Sequence, residues 1–123
     1  MSTVTFRSLR PMLSTKDLHA TIQFYTTHLG FHCDSLSEAD GWASLSRDSI
    51  ELMVSAPNRH TPFDKPIFTG SFYFNVDDAA ALWPTLKVVA KVCYPLEDFH
   101  YGIREFAIYD NNGYLLQFGS PIG

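Results

Sequence analysis

The sequence predicts an α+β protein built from two tandem strand–helix–strand–strand–strand units. Three observations predict it. Arg10-Pro-Met-Leu-Ser-Thr-Lys-Asp17-Leu18 reads as a short strand followed by an acidic helix start, and Ser71-Phe-Tyr-Phe-Asn-Val76-Asp77-Asp78 repeats that order. The strand starts Arg10 and Ser71 lie 61 positions apart, and the polar residues Glu51 and Gln117 of the closing strands lie 66 apart. Each unit ends on an apolar strand pair, closing with Ile50-Glu-Leu-Met53 in the first and Leu115-Leu-Gln-Phe118 in the second. Two such units make half-sheets that face each other around a cleft. The expected boundaries are one domain over 1–123, with module 1 at about 8–54, module 2 at about 70–119 and a connection at about 55–69.

Each element has a local reason. Ser14-Thr15-Lys16-Asp17 supplies a capping side chain and a carboxylate beside the positive end of the first helix. The apolar face then runs through Leu18, Ile22, Tyr25 and Leu29, and Gly30 ends it. His28 suits the C-terminal end of that helix, and neither it nor His19 is a ligand candidate. Strands follow at Phe31–Ser35, Gly41–Ser46 and Ser49–Val54, the last two joined across Arg47-Asp48. Ser55–Lys65 carries two prolines and little periodicity, as a connection does. The second unit has a strand at about 70–76, a helix from about 78, a strand at about 88–93 and then a loop. Pro84 inside the helical pattern predicts a helix that is short or kinked at Trp83. Asp110-Asn-Asn-Gly113 is a strong signal for the final hairpin turn, because Asn and Gly tolerate positive φ.

Composition narrows the function. The chain has 123 residues, nine Lys and Arg against thirteen Asp and Glu, and no basic run. Nucleic-acid binding needs clustered cations to neutralise phosphates, so it is not expected. No apolar run approaches the ~18 residues of a membrane span. The N-terminal Met-Ser-Thr-Val-Thr-Phe-Arg lacks the apolar core of a signal peptide, so a cytoplasmic protein without membrane partners is expected. Cys33 and Cys93 sit at matching places after the two helices and read as small strand residues rather than a disulfide or a zinc site.

Strand alternation sorts the candidate site. Phe72, Phe74 and Val76 should face the helices, leaving Ser71, Tyr73 and Asn75 on the opposite face. Phe106 and Ile108 are core, leaving Glu105, Ala107 and Tyr109 opposite. The same logic places Arg10 and Met12, Trp42 and Ser44, Glu51 and Met53, and Leu115 and Gln117 away from the helices. Apolar walls with sparse orienting polar groups are the composition of a ligand pocket. The segment Tyr94-Pro-Leu-Glu-Asp-Phe-His-Tyr101 reads as a lid loop, or as one that anchors Phe99 and Tyr101 in a dimer interface. Glu105 is a base candidate if buried beside Tyr109; pairing to Arg104 or Arg10 is the alternative. His32, His60 and His100 have no Ser or Cys nucleophile in view, and there is no phosphate-binding glycine loop.

Asp17-Leu-His-Ala-Thr-Ile-Gln-Phe24-Tyr25 to Leu29-Gly30-Phe31, with Tyr101-Gly-Ile-Arg-Glu-Phe106 and Asp110-Asn-Asn-Gly113-Tyr-Leu-Leu-Gln-Phe118, resembles the vicinal oxygen chelate superfamily. That group holds glyoxalase I, extradiol dioxygenases, fosfomycin-resistance enzymes and bleomycin-resistance proteins, and the similarity is greatest to the last branch. The resemblance implies two βαβββ modules in a homodimer with clefts shared between subunits. Its enzymes hold a divalent metal with His, Gln or Glu from four strands, at positions that here read Arg10, Glu51, Ser71 and Gln117. Arginine offers no lone pair and serine is a poor neutral ligand. The expectation is therefore a binding protein with no catalytic residue, metal or cofactor assigned. A cationic or aromatic compound would be sequestered in an inter-subunit cleft by Arg10, Trp42, Glu51, Met53, Tyr73, Asn75, Phe99, Tyr101, Glu105, Tyr109 and Gln117. The alternatives are a metal-dependent lyase, isomerase or dioxygenase of the glyoxalase type, and a binder of an unrelated metabolite.

Overall fold

Two four-stranded mixed sheets, each with a helix on one face, make up this computed structural model, which describes residues 3–58 and 62–123. His60 lies outside the described residues. The first sheet is built from β1 (Met12–Ser14), β2 (His32–Ser37), β3 (Trp42–Arg47) and β4 (Ile50–Ser55), with α1 (Leu18–Gln23) after β1. The second contains β5 (Phe72–Asn75), β6 (Lys91–Asp98), β7 (Ile103–Tyr109) and β8 (Leu115–Pro121), with α2 (Ala79–Val89) after β5. The strand orders β1-β4-β3-β2 and β5-β8-β7-β6 are the same, and the first strand of each unit lies parallel to its last. The repeat in the sequence is thus a repeat of topology, and the α+β class is as expected.

Both helices start as their sequences dictate. Asp17 and Asp78 are N-caps whose carboxylates accept from the backbone N–H three residues on, at 3.0 and 3.2 Å. The first helix ends differently from the expected regular pattern. After Gln23 it opens into one π-helical turn over Phe24–His28, and the adjacent Phe24 and Tyr25 are both buried. Pro84 neither shortens nor ends α2, which continues to Val89; exposed Pro84 removes one backbone donor and the rest of the helix holds through Leu86 and Trp83 on the core side.

The strand expected at 88–93 starts later and runs much further. Val88 and Val89 belong to α2, and β6 spans Lys91–Asp98. Most of the expected lid loop is therefore strand. Only Phe99–Gly102 forms the turn, closed by Phe99 N–H to Ile103 O and Gly102 N–H to Phe99 O. Glu97 and Asp98 find ladder partners in Glu105 and Arg104, which is what extends the hairpin.

One core serves both units. Leu13, Leu45, Leu52 and Val54 of the first sheet and Phe74, Phe106, Ile108, Leu116 and Phe118 of the second are buried with Tyr25, Leu29 and Phe31. Leu13 to Val54 and Phe106 to Phe118 are cross-strand pairs, so these residues mark the helix-bearing face of each sheet. A polar seam joins the units beside this core. Tyr25 Oη donates to Asp110 Oδ2 at 2.7 Å, and Ser14 N–H donates to Tyr114 Oη at 3.0 Å. The same Asp110 orders the last hairpin, its Oδ1 accepting from the backbone N–H groups of Asn112, Gly113 and Tyr114. Gly113 takes φ +105° there, as the turn signal predicts.

Candidate functional site

The faces opposite the helices carry the candidate residues. On the first sheet the register pairs Trp42 with Ser55, Ser44 with Met53 and Ser46 with Glu51, while Met12 faces Met53. Trp42, Met53 and Glu51 thus share the open face. Arg10 joins it through an ion pair, its Nε 3.3 Å from Glu51 Oε2, with both side chains nearly half exposed. An exposed pair of this kind adds little stability.

On the second sheet the open face holds a buried acid. Glu105 is only 4% exposed, and three phenols converge on its carboxylate. Tyr73 Oη donates to Oε1 at 2.6 Å, Tyr101 Oη donates to Oε1 at 3.3 Å, and Tyr94 Oη donates to Oε2. Behind Tyr94 the bonds continue in one direction. Gln117 Nε2 donates to Tyr94 Oη at 2.9 Å, and Ser71 Oγ donates to Gln117 Oε1. The chain Ser71–Gln117–Tyr94–Glu105 is polarised toward the carboxylate, and each donor strengthens the next. Glu105 is therefore not beside Tyr109, and it does not pair with Arg104 or Arg10. Arg104 is held by Asp98, with Nε to Oδ1 at 2.6 Å. Among the described residues no Lys, Arg or His forms an ion pair with Glu105.

The phenols answer to their burial and to the carboxylate they bond. Burial first, and then the bond to Glu105, raises the Tyr73 phenol far above its ordinary value. Burial and Glu105 push Tyr94 up to about 12, against the opposing bond from Gln117. Tyr101 is raised for the same reasons, burial first. All three stay protonated at neutral pH and serve as donors.

Two backbone devices make this cluster, and neither was legible in the periodicity. In β6 the register runs from Val92 opposite Ile108 to Tyr94 opposite Ala107, leaving Cys93 as an extra residue. This bulge turns Tyr94 from the core face to the open face. A second shift between Tyr94 and Glu97 places Glu97 directly across from Glu105. The other device is Gly119, which pairs with Glu105 and Asn75 on its two sides. A Cβ there would lie 2.8 Å from Cζ of Tyr73, so only glycine lets that ring cross β8. Tyr94, Glu97, Ser71 and Gly119 are thus additions to the expected binding set; alternation had already put Ser71 on this face, while Tyr94 and Glu97 depend on the β6 register and Gly119 on the ring that crosses it.

The aromatic groups extend the cluster to solvent. Phe99 and Tyr101 stack at 5.4 Å with 11° between planes, and Tyr94 meets Phe99 edge-on at 5.9 Å. Tyr73 and Tyr101 are 41% and 53% exposed. Tyr73, Tyr101, Phe99, Glu105 and Gln117 are hence one group. Tyr109 is separate from it: its hydroxyl donates to Cys93 Sγ at 3.4 Å, and Lys91 Nζ lies 5.6 Å from its ring centre. Asn75 is exposed and lines a groove of about 400 Å³ together with Phe31, Arg47, Ile50, Asp77 and Phe118. A second groove, of about 790 Å³, lies between β1 and the connection, lined by Met12, Phe63, Phe68 and Tyr114. Neither groove contains the Glu105 cluster.

The residues at the expected metal positions do not fit a divalent cation. Arg10 is a cation and occupies Glu51, while the Gln117 amide is used on both sides, by Ser71 and by Tyr94. Among the described residues no three His, Cys, Asp or Glu side chains converge.

Comparison with known proteins places this architecture. No curated protein matches the chain significantly in sequence. Among solved structures, a glyoxalase/bleomycin resistance protein/dioxygenase from Nocardioides superposes with a TM-score of 0.77 at 17% identity, covering 98% of this chain and 87% of its own. The bleomycin-binding protein of Streptomyces verticillus, solved with copper(II)-bleomycin, gives 0.70 at 24% identity, covering 96% and 98%. Lactoylglutathione lyase from Agrobacterium tumefaciens gives 0.70 at 19%, covering 92% of each chain. At these identities the likeness is one of fold. The sequence pattern of one family matches residues 7–118, nearly the whole chain. On that match, and with the paired sheets it predicts now described, the chain belongs to the glyoxalase/bleomycin resistance protein/dioxygenase superfamily.

Proposed function

We propose that this chain is a small-molecule-binding protein that holds a cationic, aromatic compound on the open face of its second sheet and sequesters it without chemistry. The observation that carries this reading is the Glu105 cluster. A buried carboxylate lies under exposed tyrosine rings, and the register sets Glu97 opposite it on the same face. Like charges across a strand pair are unfavourable, and among the described residues no basic side chain pairs with either acid. A bound cation removes that cost. Rings of this kind contribute ~0.5–2 kcal/mol each to stacking and cation–π contact when water is excluded.

The cleft is completed, in this reading, by a second copy in the cytoplasm, whose first sheet brings Trp42, Met53 and the Arg10–Glu51 pair over the tyrosines. Support for a covering partner comes from the apolar groups left in solvent, among them Met12, Tyr101, Leu9 and Phe6, the last 94% exposed. The fold shared with bleomycin-binding proteins supports the ligand class.

A thermal-shift panel on chelator-treated protein tests it, with divalent metals in one arm and cationic aromatic antibiotics in the other. A ligand at 100 times its Kd adds about 2.7 kcal/mol of stability. Stabilisation by antibiotics and not by metals is the expected result. Saturable stabilisation by a metal alone would sink the sequestration reading.

A further inference from the structure

We infer that the group recognised at the Glu105 cluster is a soft cation without N–H donors, a quaternary ammonium or sulfonium, in preference to a primary ammonium. The inference rests on the binding reading above and narrows the ligand's charged end.

The argument is one of hydrogen-bond capacity. An ionised carboxylate has about four lone-pair positions. Tyr73 and Tyr101 both bond Oε1, Tyr94 bonds Oε2, and the whole residue is 4% exposed. A primary ammonium arrives with three donors and a tight hydration shell, and it finds one position left on a buried carboxylate, on Oε2, where solvent hardly reaches. Its other lost water bonds are not replaced. A quaternary cation brings no donors and little hydration to lose, and it is attracted to ring faces backed by negative charge. The surface offered to it is made of ring: Tyr73, Tyr101 and the stacked Phe99, drawn together because two of these phenols share one oxygen. Each phenol is further polarised by donating its hydrogen bond to a carboxylate. Glu97, exposed across the ladder, attracts any cation, and the hydrogen bond it can also accept from an ammonium lies in solvent, where such a pair adds little.

The test is a calorimetric titration of the full chain with benzyltrimethylammonium, benzylammonium and benzyl alcohol. The quaternary probe is expected to bind at least tenfold more tightly than the other two. Glu105→Gln, which keeps the shape and removes the charge, should lower its affinity about tenfold and leave benzyl alcohol unchanged. Tyr101→Ala, at a position 53% exposed, removes one ring of the surface, should lower quaternary binding by a similar factor and benzyl alcohol binding less, and guards against misfolding of the buried variant. Glu97→Gln should weaken both cations by the same factor. Equal or tighter binding of benzylammonium overturns the inference, as does undiminished quaternary binding in Tyr101→Ala. If cationic aromatic antibiotics stabilise the protein while the quaternary probe shows no preference, only this inference falls. Silence of both panels removes the binding reading beneath it.

Discussion

Gly119 is the bed over which Tyr73 reaches Glu105. A Cβ on Gly119 would overlap the Tyr73 hydroxyl and would also meet Cγ2 of Ile103 at 3.0 Å. The Tyr73 bond to Glu105 is 2.6 Å long and is made to a buried charge, the kind of hydrogen bond with most to lose.

Gly119→Ala is therefore expected to destabilise the protein by about 1–3 kcal/mol, the range for overpacking a filled site. Tyr73→Phe should lose about 1.5–3 kcal/mol through the missing charged hydrogen bond. Because both act on one contact, the double variant should cost less than their sum. Urea unfolding of the four proteins measures this. Strict additivity would show that the glycine serves something other than Tyr73.

Tyr25 and Asp110, 85 positions apart in sequence, tie the two units together. Tyr25→Phe leaves Asp110 Oδ2 buried without its donor, so a loss of about 1–3 kcal/mol is expected from denaturant unfolding. Burial is the main influence on Asp110 and raises its carboxyl above the ordinary value, although Tyr25 and three backbone N–H groups oppose it. The sign follows from linkage. A raised group binds its proton more tightly in the folded protein, so its contribution is present below the unfolded value and is lost as pH rises through the folded one. Replacing Asp110 with Asn should remove this contribution and steepen the loss of stability as pH falls toward the ordinary carboxylate range. A variant with an unchanged acid limb would contradict the assignment.

In alkali the tyrosines around Glu105 act in the same sense. The Tyr94 phenol is raised from about 10 to about 12. Its contribution is complete below the unfolded value and disappears as pH climbs between those two values. Stability measured from pH 9 upward should fall, and in Tyr94→Phe it should fall less steeply. Parallel slopes in the two proteins would mean that burial and Glu105 do not hold the Tyr94 phenol above its ordinary value.

Much of this molecule is readable from local chemistry. Asp17 and Asp78 before apolar periodic stretches predict the helix starts, and both are caps. Asp110-Asn-Asn-Gly113 predicts a turn and forms one. Alternation assigns Phe72, Phe74, Phe106 and Ile108 to the core side, and Tyr73, Glu105 and Gln117 to the other. Such signals concern a residue and its near neighbours, so a single chain contains them in full.

What alternation could not supply were the partners and the places where its own rule breaks. The period-2 rule puts Tyr94 beside Val92 in the core, but the bulge at Cys93 reverses it, and bulges are decided by how β6 and β7 match over their whole length. That same match turned an expected lid into a strand and set Glu97 against Glu105. Glu105 itself has Arg104 next to it in sequence, yet Arg104 points to Asp98, because neighbours in a strand face opposite sides. By itself, then, the sequence determined the repeated topology, the caps, the turn and the polarity of each sheet face. Only the tertiary structure decided that three phenols and a glycine close around one acid, since that depends on residues up to 46 positions apart meeting across strands that no local preference can align.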